Sequence, residues 1–283
     1  MMKNGNEKLK FIVWQKIHLL PAWCIDLWQK WKFRTIVKHA YEKIPLYRAL
    51  WQEKGIIEKN IKKVSIRALP IISKNNFTER NTDEYICQDF PEQFYNWRGA
   101  TSGSTGEPFK FVRASYGDGS PEVEKYYDSF KRWRFLVWDG ISFDYIFNTL
   151  RGVRFQETSH LDLTTLLIKR TGLYQGTEKT VDRILNFKGE VIGGYSSGLV
   201  EFCTVLHNHD LVGAITFKYA ASSGEVLLPS QRQFIEQTLG CEVYDRYGTE
   251  EFRIIGVECR EHRGFHLNSE SFILEVVDES GQL

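Results

Sequence analysis

Four hydroxyls and two glycines fill six consecutive positions, Thr101-Ser102-Gly103-Ser104-Thr105-Gly106, ahead of Glu107 and Pro108. Glycine lets backbone N–H groups come close to an anion, and each hydroxyl donates one further hydrogen bond. A polyphosphate needs that combination. The Walker pattern is excluded, because it requires Gly-x-x-x-x-Gly-Lys-Ser/Thr opening a helix, and Lys110 here follows Pro108 in a stretch that reads as extended. An ordinary Gly/Ser turn is the competing reading; the unbroken run ahead of a proline sets this one apart. A second set of chemistry-bearing residues is Cys259, His262 and His266, spaced Cys-x₂-His-x₃-His, with Cys241 as a fourth donor. Sulfur and imidazole suit Zn²⁺, but the spacing matches no firm finger signature, so a purely structural role competes.

The elements that must position these residues follow from periodicity. Up to about residue 74 the pattern is helical: 35–43 has helical spacing, Pro45 interrupts it, and 47–54 resumes before Gly55. From residue 94 onward, short β-rich runs at 109–113, 141–148, 190–194, 215–220, 242–247 and 272–277 alternate with helical stretches at 122–138, 178–187, 199–207 and 230–239. Gly240 stands where a left-handed helix cap is usual. Such alternation predicts an α/β fold with a largely parallel sheet, whose ligands gather at strand ends. The expected division is a helical N-terminal region, 1–93, packed on an α/β nucleotide-binding region, 94–283.

Composition sets outer limits. The chain has 283 residues, 42% of them hydrophobic, and 37 basic against 36 acidic residues leave a net charge of +1. Neither nucleic acid nor an anionic surface is required as a partner by overall charge. Five scattered cysteines without a Cys-x-x-Cys pair fit a reducing cytosol, so a cytoplasmic location is expected. Segment 11–28 is rich in bulky apolar residues, but Lys16, His18, Pro21 and Asp26 interrupt it, so it does not supply the ~20 apolar residues of a membrane span. It reads as core helices, with an interfacial helix as the alternative, kept open by Trp14, Trp23, Trp28 and Trp31.

The run TSGSTGEP is similar to the phosphate-binding loop of the adenylate-forming superfamily of acyl-CoA ligases, luciferases and peptide-synthetase adenylation domains. Downstream, Tyr247-Gly248-Thr249-Glu250-Glu251 resembles that superfamily's Tyr-Gly-x-Thr/Ser-Glu signature, and Ser223-Gly224-Glu225 resembles its adenine-contacting turn. HAYEKIPLYRALW, LPIISK, GGYSSGL and VECREHRGFHLNSESFILEVVD resemble the phenylacetate-CoA ligase and CapK-like branch, which is associated with capsule or exopolysaccharide production.

The resemblance implies the large domain of an adenylate-forming enzyme, using ATP and Mg²⁺ to activate a small carboxylic acid, with CoA as the expected acceptor. Position by position, Thr101, Ser102, Gly103, Ser104, Thr105 and Gly106 would hold the β- and γ-phosphates. Glu251 would hold Mg²⁺, and with Thr105 would count as catalytic. Ser223, Gly224 and Glu225 would line the adenine edge, Tyr247, Gly248 and Thr249 would complete the nucleotide site, and Tyr195 would face the acyl pocket. Glu250 departs from the pattern, since the superfamily has a hydroxyl there and a carboxylate would repel phosphate. The strand expected at 272–278 is followed by a turn and then the last residues, so the sequence reads as an N-terminal fragment without the C-terminal mobile domain, expected to bind ATP weakly without turnover. The alternative is a truncated, catalytically inactive homologue that binds a nucleotide or a partner.

Overall fold

The computed structural model describes residues 16–78, 80–87, 95–100, 110–114, 161–162, 191–249 and 251–279. The chain divides into two compact units, Met1–Glu124 with Ser269–Leu283, and Lys125–Asn268. The expected strand at 141–148 and the expected helices at 122–138 and 178–187 lie outside the described residues.

The first unit opens with a 3₁₀ turn, Ile17–Leu19, and helix α1, Ala22–Lys43. Ile44, ahead of Pro45, takes an extended conformation (φ −124°, ψ 107°), as a residue before proline must. Pro45 then serves as the first residue of α2, Pro45–Gln52, where its missing N–H costs nothing. So the proline that was expected to interrupt a helix also starts the next one. Val37, Ala40 and Tyr41 of α1 pack with Trp51 of α2, Ile56 and Ile61. Two single-turn helices follow, α3 (Asn75–Thr78) and α4 (Thr82–Tyr85), and then an antiparallel hairpin of β1 (Tyr95–Ala100) and β2 (Lys110–Ala114). The extended flanks expected on either side of the glycine-rich loop are thus strands, and Lys110 lies in one of them.

Two expectations for this unit are corrected. The described part of 11–28 is not a core helix: Trp23, Leu27 and Trp31 are 64%, 57% and 55% exposed. The apolar residues from Phe33 onward take the contacts with α2, and Trp23, Leu27 and Trp31 stay exposed. Nor is 272–277 a strand. A strand exists through its ladder, and what the structure shows here is α1 side chains bonding the stretch that leads into this segment. The Trp28 indole N–H donates to Glu270 O (3.0 Å), and the Gln29 amide donates to Ser269 O (2.9 Å) and Phe272 O (3.0 Å).

The second unit is a six-stranded sheet, β3-β4-β5-β6-β7-β8 in spatial order. The strands are β3 (Leu161–Asp162), β4 (Val191–Gly194), β5 (Tyr219–Ser223), β6 (Val243–Thr249), β7 (Arg253–Glu258) and β8 (Phe265–Leu267). The first four run parallel, and β7 and β8 return antiparallel. Helix α5, Ser196–Asn208, follows β4, and α6, Pro229–Leu239, follows β5. Leu199, Phe202, Cys203 and Leu206 recur at helical spacing along α5 and seal against Ile192, Ala220 and Val243 from the sheet and Ile235 and Leu239 of α6. Gly240 closes α6 with φ 67°, as its position predicts. The strand expected at 215–220 begins four residues later, because Phe217 is drawn into the helix-side core and only from Tyr219 does the backbone pair with β4. Strands β7 and β8 were not expected at all.

Phe202 is fully buried and touches Phe217 edge-on with ring centres 6.3 Å apart. Phe202→Ala is expected to lower unfolding free energy by about 3–5 kcal/mol, read as a shift in denaturant midpoint. A change below about 1 kcal/mol would mean that α5 does not seal this face.

Candidate functional site

Parallel strands place their carboxyl ends on one edge, and helices leaving that edge present unpaired N–H groups there. Here β4 ends at Gly194, Tyr195 takes the N-cap position with an extended backbone, and α5 starts at Ser196. One strand over, β5 ends at Ser223 and runs into Gly224 and Glu225. The Glu225 carboxylate reaches across to α5, accepting from the Ser197 N–H at 3.0 Å and lying 3.2 Å from the Ser196 hydroxyl. A carboxylate at a helix N-terminus meets both the free donors and the positive end of the dipole. Burial alone would push its pKa up, but hydrogen bonds from Ser197 and Ser196 outweigh that and hold it below the usual carboxylate range.

Gly224 has φ +83°, and a Cβ placed on it would stand 2.5 Å from the Tyr195 ring. Only glycine permits both the turn and the ring against it. Tyr195, Gly224 and Glu225, expected as acyl-pocket and adenine residues, therefore form one cluster in which Glu225 is committed to capping α5. Tyr195 remains 36% exposed, enough to present one ring face outward.

The third strand contributes by register. Ser223 pairs with Arg246, which puts Tyr247 just beyond the end of β5. Tyr247 is 47% exposed and rests against Phe265 with ring centres 6.0 Å apart. Gly248 sits at an irregularity in the β6–β7 pairing, where a Cβ would lie 2.1 Å from Arg253 O, so a side chain cannot be accommodated. The Thr249 hydroxyl accepts from the Phe252 N–H at 3.0 Å and braces the turn that carries Glu251, which is half-buried. Glu250 and the whole loop Thr101, Ser102, Gly103, Ser104, Thr105 and Gly106 lie outside the described residues.

Beneath this edge lie groups that sequence reasoning missed. Arg246 is buried, with Nε 3.5 Å from Ser222 O, and it would stand 3.3 Å from a Cβ on Gly193. Gly193, the first glycine of GGYSS, thus leaves room for a buried guanidinium. The Asp245 carboxyl is pushed up, first by burial and further by the charge of Glu258, against hydrogen bonds from Arg246 and Ser222. Nothing in the local spacing of β6 marks either residue; only the strand pairing does.

The zinc reading meets a different arrangement. Among the described residues no three His, Cys, Asp or Glu side chains are placed to hold a metal ion. His262 Nδ1 lies 3.0 Å from both Glu258 Oε2 and Arg232 Nη1. His266 belongs to β8, paired opposite Val257, and Cys259 follows the end of β7. The Cys241 thiol is pushed up to about 12 by burial and by the charges of Glu236 and Glu242, which disfavours the thiolate a metal requires. His262 serves instead in an ion cluster that ties α6 to β7. Arg232 Nη2 donates to both Glu258 oxygens (3.0 and 2.7 Å), the Asp245 N–H donates to Oε2 (2.9 Å), and Arg232 also bonds Val243 O. Arg232, Asp245, Glu258, His262 and Phe265 line a cavity of about 660 Å³, which includes none of Tyr195, Ser223, Gly224, Glu225 or Tyr247.

No protein-family model matches the chain, and no curated protein does. Solved structures do. A 2-hydroxyisobutyryl-CoA ligase in the postadenylation state, in complex with R3-HIB-AMP, superposes with TM-score 0.65 and 17% identity over 93% of this chain and 57% of that one. The same ligase in its thioesterification state, with 2-HIB-AMP and CoA, gives 0.65 and 18% over the same shares. Its open conformation gives 0.60 and 16% over 84% of this chain and 57% of that one. Over the matched residues the chain shares the fold of these CoA ligases. The chain spans a little over half the length of those solved chains.

Burial alone would raise the Glu258 pKa, but the Asp245 N–H, Arg232 and His262 together hold it low. A depressed carboxyl contributes stability above its unfolded pKa and loses it as pH falls through the native value. Glu258→Gln is therefore expected to destabilise by about 3 kcal/mol near neutral pH, with the difference shrinking as acid protonates the native chain. Denaturation midpoints across a pH series measure this; a difference independent of pH would show that the charge of Glu258 is not what binds α6 to β7.

Proposed function

We propose that the chain activates a small carboxylic acid with ATP, as a phenylacetate-CoA ligase or CapK-like protein, with CoA as acceptor and a role in capsule or exopolysaccharide production. A carboxylate oxygen would attack the α-phosphorus of ATP while the bond to the β-phosphate oxygen breaks, giving acyl-adenylate and pyrophosphate. The CoA sulfur would then attack the acyl carbon, its proton would leave to solvent, and AMP would depart. One observation carries the reading. The residues resembling the adenine turn and the Tyr-Gly-x-Thr/Ser-Glu signature lie at the carboxyl ends of the adjacent parallel strands β5 and β6, on an adenylate-forming fold.

In this reading Tyr247 packs near the base, Ser223 and Gly224 line its edge by backbone, and Glu225 acts through the α5 cap. Tyr195 faces the acyl group. Thr101, Ser102, Gly103, Ser104, Thr105 and Gly106 bind the β- and γ-phosphates. Glu251 fits Mg²⁺, since that ion takes one or two carboxylates and fills its shell with phosphate oxygens and water; the bound ion offsets phosphate charge. Glu250 favours a second reading, in which the nucleotide binds without turnover, because a carboxylate replaces a hydroxyl donor there.

Pyrophosphate release by the purified chain over aryl, alkyl and amino acids, with ATP titrations of native and Gly103→Val protein, separates these outcomes. Acid-dependent release, with ATP affinity falling at least about tenfold in Gly103→Val, is expected for acid activation. Binding without release supports the second reading. Equal ATP affinity in both proteins sinks the loop assignment, and no ATP binding at all sinks both readings.

A further inference from the structure

We propose that the exposed first half of α1 docks the protein on anionic phospholipid membranes. Among the described residues no helix is long and apolar enough to cross a bilayer, so this would be contact in the interfacial plane. The stripe consists of Leu20, Trp23, Leu27 and Trp31, all exposed. At about 100° per residue Trp23, Leu27 and Trp31 fall within one face of the helix, and Leu20 lies just ahead of its first residue, Ala22. Two exposed indoles and two exposed leucines match what the bilayer boundary takes up, since indole combines apolar area with one polar N–H.

Charge selects lipid over another apolar partner. Arg34 continues the same line along α1, Lys30 flanks it, and Lys32 leans over Trp31 from the far side, all three exposed, while Lys38 farther along is paired with Glu42 at 3.5 Å. The Lys32 ammonium lies 5.0 Å from the ring centres of both Trp28 and Trp31, so cation and indole already share one surface. Asp26, the acidic residue of this half, stands about 100° from the centre of the stripe. Segment 269–279, with its carboxylates, is held on the side of Trp28 and Gln29 and leaves the stripe open. A ring of cations around exposed indoles and leucines is complementary to anionic headgroups over acyl chains.

The test is co-sedimentation of the full chain with sucrose-loaded vesicles of phosphatidylcholine, alone or with phosphatidylglycerol, beside a vesicle-free control and sedimentation velocity over a range of concentrations. The expected result is binding to anionic vesicles that weakens when salt shortens the screening length from about 10 to about 3 Å. Binding should fall about tenfold or more in Trp23→Ser/Trp31→Ser and in Lys30→Glu/Arg34→Glu. All four side chains are solvent-facing, and circular dichroism and an unchanged denaturant midpoint confirm folding. Three results would overturn the proposal: no pelleting with anionic vesicles at low salt, equal pelleting of native and variant proteins, or a concentration-dependent dimer abolished by the tryptophan substitutions, which would assign the stripe to a second copy of the chain.

Discussion

The parallel pairing of β4, β5 and β6 is the constraint on which the candidate site depends. It brings Gly194, Ser222 and Asp245 to one level, so that Tyr195, Gly224 and Tyr247, one or two residues beyond them, emerge on one edge although far apart in sequence. That pairing is secured from one side by the core of α5 and α6, where Ile192, Ala220 and Val243 point away from solvent. A slip of one residue in any strand would send its core side chain to the opposite face. Burial and site geometry are therefore fixed by the same register.

Two charged groups of this edge are already committed: Glu225 caps α5, and Arg246 lies under Gly193 and Ser222. A nucleotide arriving here would meet a preorganised surface of backbone, glycine and aromatic ring. The Glu225 finding changes the meaning of a motif residue: its carboxylate shapes the turn by binding the start of a helix, and its effect on a base would pass through Ser223 and Gly224. The Arg232–Glu258–His262 cluster plays the corresponding part on the far side of β6, holding α6 to a strand of the antiparallel return.

Some of this architecture was legible from residues alone. Apolar spacing at 199, 202, 203 and 206 and the glycine after 239 placed α5 and α6 to within a few residues, because those signals are local. The strands around the glycine-rich loop were legible for the same reason. Strands β7 and β8 were not, since residues 253–267 mix Arg, Gly, Glu, His and Cys and take their form from pairing with β6. The Cys-x₂-His-x₃-His spacing misled because spacing ignores direction: His262 turns to Glu258 and Arg232, while His266 sits in a strand. Segment 272–277 had the composition of a strand but pairs with no strand among the described residues, and the first half of α1 had the composition of a core helix but keeps Trp23, Leu27 and Trp31 exposed. The proposed site residues at 223–225 and 247–251 came from a family likeness; their convergence came from strand order, which no single segment encodes.

Occupation of the β5–β6 edge by a nucleotide can be read out peptide by peptide. Photolabelling with 8-azido-ATP and Mg²⁺, followed by peptide mapping, tests it most directly. The account predicts label in the peptides containing Ser223, Gly224 and Glu225 or Tyr247, lost when excess ATP competes. Label confined to other peptides, or undiminished by ATP, would contradict it.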